Sequence, residues 1–195
     1  MGDPHFTDND RIVSFDSDEL ILVDKDDEEV GHLTKAACHE GAGILHRAFS
    51  LFVFNERDEL LLQQRSASKK LWPLYWSNSC CSHPRRGEQI EETIHRRLDE
   101  ELGMRSELDF RYKFQYQARF GEVGGEREYC WVYAGVSSDF PRPNRNEIAD
   151  CRFVRPEQLD EELRTDANSF TPWLRLEWRR IQDDFRGRLH GLWKA

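Results

Sequence analysis

Between Gly87 and Gly103 the chain places Ile90, Ile94 and Leu98 one helical turn apart, with strand-type runs on both sides of the segment. A single amphipathic helix set between two groups of strands has to bury its apolar stripe against a sheet, so this feature argues for a mixed α/β fold. The spacing predicts a helix over residues 87–102, with Gly103 as its cap. Before it, Glu19–Asp24 is an apolar run of strand length, followed by an acidic turn at Lys25–Glu29. Ala48–Asn55 and Glu59–Gln64 read as a hairpin closed by the polar turn Asn55–Asp58. After the helix, strand patterns at Phe110–Phe120 and Arg127–Val136 flank turn material at Gly121–Gly125, and another strand follows near Cys151–Val154. Pro156 opens a short helix, and Thr171–Phe185 reads as a longer amphipathic one with Pro172 in its first turn. The expected class is α/β, a mixed β-sheet flanked by helices.

At 195 residues, with no linker between candidate halves, the expectation is one domain over residues 19–195. Residues 1–18, rich in Asp and without periodicity, are expected to be a flexible acidic arm. A net charge of −9 argues against a nucleic-acid surface, which requires clustered cations. The cations are nevertheless unevenly spread. Arg65, Lys69, Lys70, Arg85, Arg86, Arg96 and Arg97 fall close together, an enrichment that suits a small anion. Cys38, Cys80, Cys81, Cys130 and Cys151 are odd in number and form no CxxC pair, which points to a reducing, cytoplasmic setting. No apolar run approaches the length of a membrane span. A monomer acting on a small molecule is the expectation, without nucleic-acid or membrane partners.

Three features carry chemistry. His39, His46 and His83 precede Glu126 and Glu128, which lie two apart on an expected strand and therefore on one face. Imidazoles and carboxylates together suit a divalent ion such as Mn2+, Mg2+ or Zn2+, although neither the histidines nor the carboxylate pair defines a site alone. Next, Ser79–Pro84 reads as a small, polar turn in which Cys81 lies two residues from His83. A neighbouring imidazole or metal lowers a thiol pKa; the other reading is a buried structural pair of Cys80 and Cys81. Finally, Ser82, Glu88, Arg96, Leu98, Glu100, Glu101 and Gly103 follow the spacing of the Nudix box, a loop–helix whose carboxylates hold a metal against a diphosphate. Two positions depart from it: Ser82 stands where the box opens with Gly, and Arg97 where it has Glu. The same residues also read as Arg96–Glu100 and Arg97–Glu101 pairs at helical spacing.

Together these phrases resemble the type I isopentenyl-diphosphate isomerases, a degenerate branch of the Nudix superfamily. The resemblance runs from Lys35 to Trp173 on Cys38-His39, His46–Ser50, Arg65–Pro73, Trp76–Pro84, Glu126-Arg127-Glu128 and Thr171-Pro172-Trp173. It implies a Nudix-like α/β/α sandwich and a metal set at His39, His46, His83, Glu126 and Glu128. It further implies Cys81 and Glu128 as proton-transfer residues, with Tyr116 supporting Glu128 and Trp173 facing the allylic carbon. Glu101 matches a carboxylate that helps hold Mg2+ against the diphosphate. Lys35, Arg65 and Lys69 match the cations on that group, with Ser82 beside them and Arg97 as an addition. The competing expectations are a Nudix diphosphohydrolase and a non-enzymatic metal- or ligand-binding module.

Overall fold

A computed structural model describes residues 10–185. Its central strand, β3 (His46–Phe54), is buried along nearly its whole length, and its alternate residues enter two separate cores. Phe49, Leu51 and Val53 pack with Ile90, Ile94, Leu98 and Leu102 of helix α2 (Ile90–Leu102). Ala48, Phe52 and Phe54 share the opposite core with Leu159 of α3 (Pro156–Thr165) and with Trp173, Leu174, Trp178 and Ile181 of α4 (Pro172–Phe185). A strand covered on both faces reads as a continuous apolar run, as residues 48–54 do. Each large apolar side chain buried this way contributes roughly 1.5–3 kcal/mol. Helices thus lie on both faces of a mixed sheet, the expected sandwich in a single domain.

The other strands are β1 (Glu19–Val23), β2 (Glu29–Thr34), β4 (Leu60–Arg65), β5 (Trp76–Ser77), β6 (Cys80–Ser82), β7 (Glu107–Phe120), β8 (Gly124–Val136) and β9 (Ile148–Val154). A four-residue helix, α1 (Lys35–Cys38), follows β2. One edge of β3 runs parallel to β8, from His46 opposite Glu128 to Phe54 opposite Val136. Its other pairings go to β1, β6 and β4. Helix α2 ends as expected at Gly103, whose left-handed φ of 58° lets its N–H reach Asp99 O at 2.8 Å.

Several expectations need correction. The hairpin between β3 and β4 pairs only at Phe54 and Leu60, after which β4 runs antiparallel to β9. Into the opened wedge comes the segment read as a turn, part of which is strand β6, pairing Cys80, Cys81 and Ser82 with Leu51, Ser50 and Phe49. Ser79 bridges the wedge: its Oγ accepts from Val53 N at 2.8 Å and donates to Leu61 O at 2.7 Å. A free sheet edge outweighed the turn propensity of these residues. The acidic turn is also shorter than expected, since Glu29 already begins β2.

Of the expected acidic arm, residues 1–9 lie outside the described residues. Residues 10–18 lie against the domain: Val13 is buried, and its carbonyl accepts from Arg85 Nη2 and Arg97 Nη1, each at 2.8 Å. Buried guanidinium groups need acceptors, and this backbone supplies one. Among the described residues no helix is long and apolar enough to cross a membrane.

Candidate functional site

Five ligand-type atoms, one each from His39, His46, His83, Glu126 and Glu128, lie within 4.8 Å of one another. The fold assembles them from four places. His39 caps the C-terminus of α1, His46 begins β3, His83 follows β6, and both carboxylates come from β8. The parallel β3–β8 register sets His46 opposite Glu128, and the two-residue strand period brings Glu126 to the same face. Glycines admit His39. Gly125 N–H donates to His39 O at 3.0 Å, and a Cβ on Gly124 would stand 2.4 Å from that same oxygen.

The protons of this cluster point outward. His39 Nδ1–H donates to Lys35 O and His46 Nδ1–H to Ile44 O, both at 2.7 Å, because a carbonyl can only accept. Both rings therefore turn Nε2 inward. His39 Nε2 lies 2.7 Å from Glu126 Oε2, and His46 Nε2 has no hydrogen-bond partner. Buried imidazole nitrogens and carboxylate oxygens converging on one point are what a cation would satisfy, so the residues fit a divalent ion. Burial lowers His46 to about 4 and His83 well below its ordinary value, which keeps both imidazoles neutral. Burial and the neighbouring Glu126 raise Glu128 well above the carboxylate range. For Glu126 burial acts in the same upward direction, but His39 outweighs it and holds the group low.

A cavity of about 350 Å³ opens beside the cluster, lined by Cys81, Tyr116, Glu128 and Trp173 and by Lys35, Arg65, Lys69, Ser82 and Arg97. The structure thus brings together every expected site residue except Glu101, with His46 in the cluster behind the wall. Cys81 Sγ donates to Asn78 Oδ1 at 2.9 Å and lies 3.4 Å from Ser50 Oγ. Its expected activation by a neighbouring imidazole is corrected: burial, followed by the Glu177 carboxyl, pushes the thiol up instead. Tyr116 Oη donates to Glu128 Oε2 at 2.6 Å, while His83 Nε2 lies 2.9 Å from Glu128 Oε1. Trp173 is fixed by its Nε1–H to Ser77 Oγ at 2.9 Å, and the Arg65 guanidinium stands 5.2 Å from its ring centroid.

The cationic end is built from buried charge. Burial lowers Lys35 to about 8, and its ammonium donates to Ser14 Oγ. Lys69 pairs with Glu147. Arg97 donates to Glu101 Oε1 at 2.5 Å, to Glu100 Oε2 at 3.0 Å and to Val13 O. Glu101 is therefore committed to Arg97 and stands outside the five-residue cluster. Arg96–Glu100 and Arg97–Glu101, expected as helical pairs, both form. Sequence reasoning missed Ser50, Asn78, Glu147 and Glu177. Only Glu177 left a signal: it occupies the apolar stripe of α4, with Trp173, Leu174, Trp178 and Ile181.

Residues 44–174 match the NUDIX domain family. The chain is similar to isopentenyl-diphosphate Delta-isomerase 1 of Photorhabdus laumondii, 40% identical over 166 residues that cover 84% of this chain and 94% of that one. It is similar also to isopentenyl-diphosphate Delta-isomerase 1 of Aromatoleum aromaticum, 40% identical over 80% of this chain and 88% of that one. Among solved structures, a Deinococcus radiodurans protein superposes with a TM-score of 0.67 at 25% identity, covering 83% of this chain and 98% of that one. A MutT protein from Methanosarcina mazei shares the fold at 17% identity, with a TM-score of 0.59 over 72% of this chain and 94% of that one.

Proposed function

Because the chain belongs to the isopentenyl-diphosphate Delta-isomerases of the NUDIX fold, we propose that its cavity interconverts isopentenyl and dimethylallyl diphosphate by proton addition at C4 and proton removal at C2. The observation that carries this reading is the presence, in the lining of one cavity, of a carboxyl–phenol pair and a thiol, together with an indole and a cluster of cations. An unactivated alkene is a poor base, so its protonation needs a positioned acid and passes through a tertiary carbocation. Glu128, supported by Tyr116, supplies the C4 proton, and Cys81 takes the C2 proton as its thiolate, the form it reaches by giving up the proton it otherwise donates to Asn78. Trp173 offers its π face to the cation, an interaction worth roughly 0.5–2 kcal/mol.

Isomerisation requires that water be kept from the cation, which it would trap as an alcohol. Lys35, Arg65, Lys69, Ser82 and Arg97 hold the diphosphate, whose binding energy positions the reacting carbons. His39, His46, His83, Glu126 and Glu128 would hold Mn2+, Mg2+ or Zn2+, and a further Mg2+ would accompany the diphosphate, while Glu101 stays paired with Arg97. When bound, an ion supplies the positive charge that offsets two buried carboxylates. The five cysteines are free, which fits a reducing, cytoplasmic compartment, and we read the chain as a monomer. A diphosphohydrolase reading is disfavoured by Arg97, which engages the Glu100 and Glu101 carboxylates a hydrolytic ion would need.

Proton and phosphorus NMR of isopentenyl diphosphate with metal-loaded protein tests the reading. The expected result is growth of the two allylic methyl signals of dimethylallyl diphosphate, abolished by Cys81→Ala. Phosphate release with the alkene unmoved would overturn it in favour of a hydrolase, and an unchanged spectrum in favour of a binding module.

A further inference from the structure

Glu147 lines the cationic end of the cavity and is 5% exposed. Its backbone is anchored without help from the side chain: Glu147 N–H donates to Asn144 O at 3.0 Å, and Glu147 O accepts from Ser66 N at 2.9 Å. The carboxylate accepts from the Lys69 ammonium and lies 3.7 Å from Arg97 Nη2. Two of the cations assigned to the diphosphate therefore already face a negative charge. Burial acts to raise the Glu147 carboxyl, but Lys69 and then Arg97 outweigh it and hold the group below its ordinary value. The other two cations are held by neutral acceptors: Lys35 by Ser14 Oγ, and Arg65 by the carbonyls of Leu71 at 3.0 Å and Trp72 at 3.1 Å. Glu100 and Glu101, which also hold Arg97, do not line the cavity. Glu147 is thus the buried anion that a ligand entering this end meets.

We propose that Glu147 is a specificity-determining residue, a fixed counter-charge that makes the cationic end prefer the Mg2+ complex of a diphosphate to the bare anion. The inference rests on the assignment of this end to the diphosphate above. A bare diphosphate brings several negative charges against Lys69 and Arg97, whose positive charge Glu147 already balances in part. In a buried site its oxygens and the Glu147 carboxylate repel each other across the ammonium they share. A diphosphate carrying Mg2+ presents much less net negative charge, so that repulsion is small. The Lys69 ammonium has three donors, enough to serve the carboxylate and a phosphate oxygen together. Specificity of this kind comes from a repulsive element against the wrong form, added to the attraction that both forms enjoy.

Calorimetric titration of the full chain with inorganic pyrophosphate, with and without Mg2+, reads this preference apart from the isomerisation chemistry. Both titrations start from protein loaded at the His–Glu cluster and freed of excess ion. The wild type is expected to bind the Mg2+ complex more tightly. Glu147→Gln keeps the shape, removes the charge and should bind bare pyrophosphate roughly tenfold or more tighter than the wild type, shrinking the preference by that factor. Glu147→Asp restores the charge and should restore the preference, and Glu147→Ala reads the same loss of charge if Glu147→Gln does not fold. A merely structural side chain would, when changed, weaken both forms together, and a Mg2+ ligand would weaken the Mg2+ complex alone. Either result, or a variant that binds as the wild type does, overturns the counter-charge. A wild type that binds both forms equally overturns it too, while the diphosphate site stands. A wild type that binds neither overturns the assignment of this end to the diphosphate, and the inference with it.

Discussion

Tyr116 Oη donates to Glu128 Oε2 across 2.6 Å, and the two residues are direct register partners in the β7–β8 antiparallel pair. Adjacent strands hold cross-strand side chains about 5 Å apart, so the phenol–carboxyl contact is fixed by the sheet itself. The phenol is buried as deeply as the carboxyl it serves. Tyr116→Phe removes one donor and leaves the ring in place. The expected outcome is a kcat reduced by roughly 10²-fold with little change in KM, the range of a general-acid contribution. Steady-state kinetics check it, and an unchanged kcat would remove Tyr116 from the mechanism.

The inward-facing Nε2 atoms of His39 and His46, converging with Glu126 and Glu128, predict a metal-dependent stability. At a metal concentration a hundredfold above Kd, binding adds about 2.7 kcal/mol, equivalent to roughly 5–10 °C in Tm for a domain of this size. A chelator should lower Tm by that order and abolish isomerisation, and restoring the ion should recover both. His46→Asn should erase the metal-dependent increment. A melting curve indifferent to chelator would count against the site.

Arg97 is almost fully buried and pairs with an equally buried Glu101. Arg97→Gln should therefore destabilise the fold by roughly 3–5 kcal/mol, the cost of leaving a buried charge without its partner. Equilibrium urea unfolding measures this. A loss below 1 kcal/mol would mean that the pair contributes little beyond packing.

Glu177 gives stability a pH dependence of known sign. Burial raises its carboxyl from the ordinary 4.5 to about 8 in the folded chain. The folded state then binds the proton more tightly, so its contribution is complete below pH 4.5 and is lost as pH rises to about 8. Glu177→Gln removes this titration. Unfolding free energies measured from pH 5 to 8 should fall less steeply in the variant than in the wild type, by a few kcal/mol across the range. Parallel profiles would show that the carboxyl does not titrate in this window.

Much of the architecture was legible in the chain because local periodicity encodes burial. The four-residue recurrence of Ile90, Ile94 and Leu98 fixed α2 and its core face, and Gly103 marked its end. The two-residue spacing of Glu126 and Glu128 put both carboxylates on one side of β8. Ser79–Ser82 misled, because small polar residues favour turns in isolation, and only a neighbouring sheet edge made Cys80–Ser82 a strand. The hairpin signal at 55–58 was sound for its turn and silent about where the strands went next.

By itself, then, the sequence determined which residue types were available and which local faces they occupied: three imidazoles, paired carboxylates, a thiol beside a histidine, an amphipathic helix between strands. The tertiary structure decided which of them meet. The parallel β3–β8 register brought His46 to Glu128, and the glycine contacts at 124–125 admitted His39. Insertion of β6 beside β3 set Cys81 against Ser50, with Glu177 behind. Tertiary burial also reversed the expected titration of Cys81, since desolvation and the Glu177 carboxyl push the thiol up and the nearby His83 imidazole carries no charge to oppose them. Side-chain periodicity is a property of a few neighbouring residues, whereas register, desolvation and long-range pairing depend on segments that only the folded chain brings together.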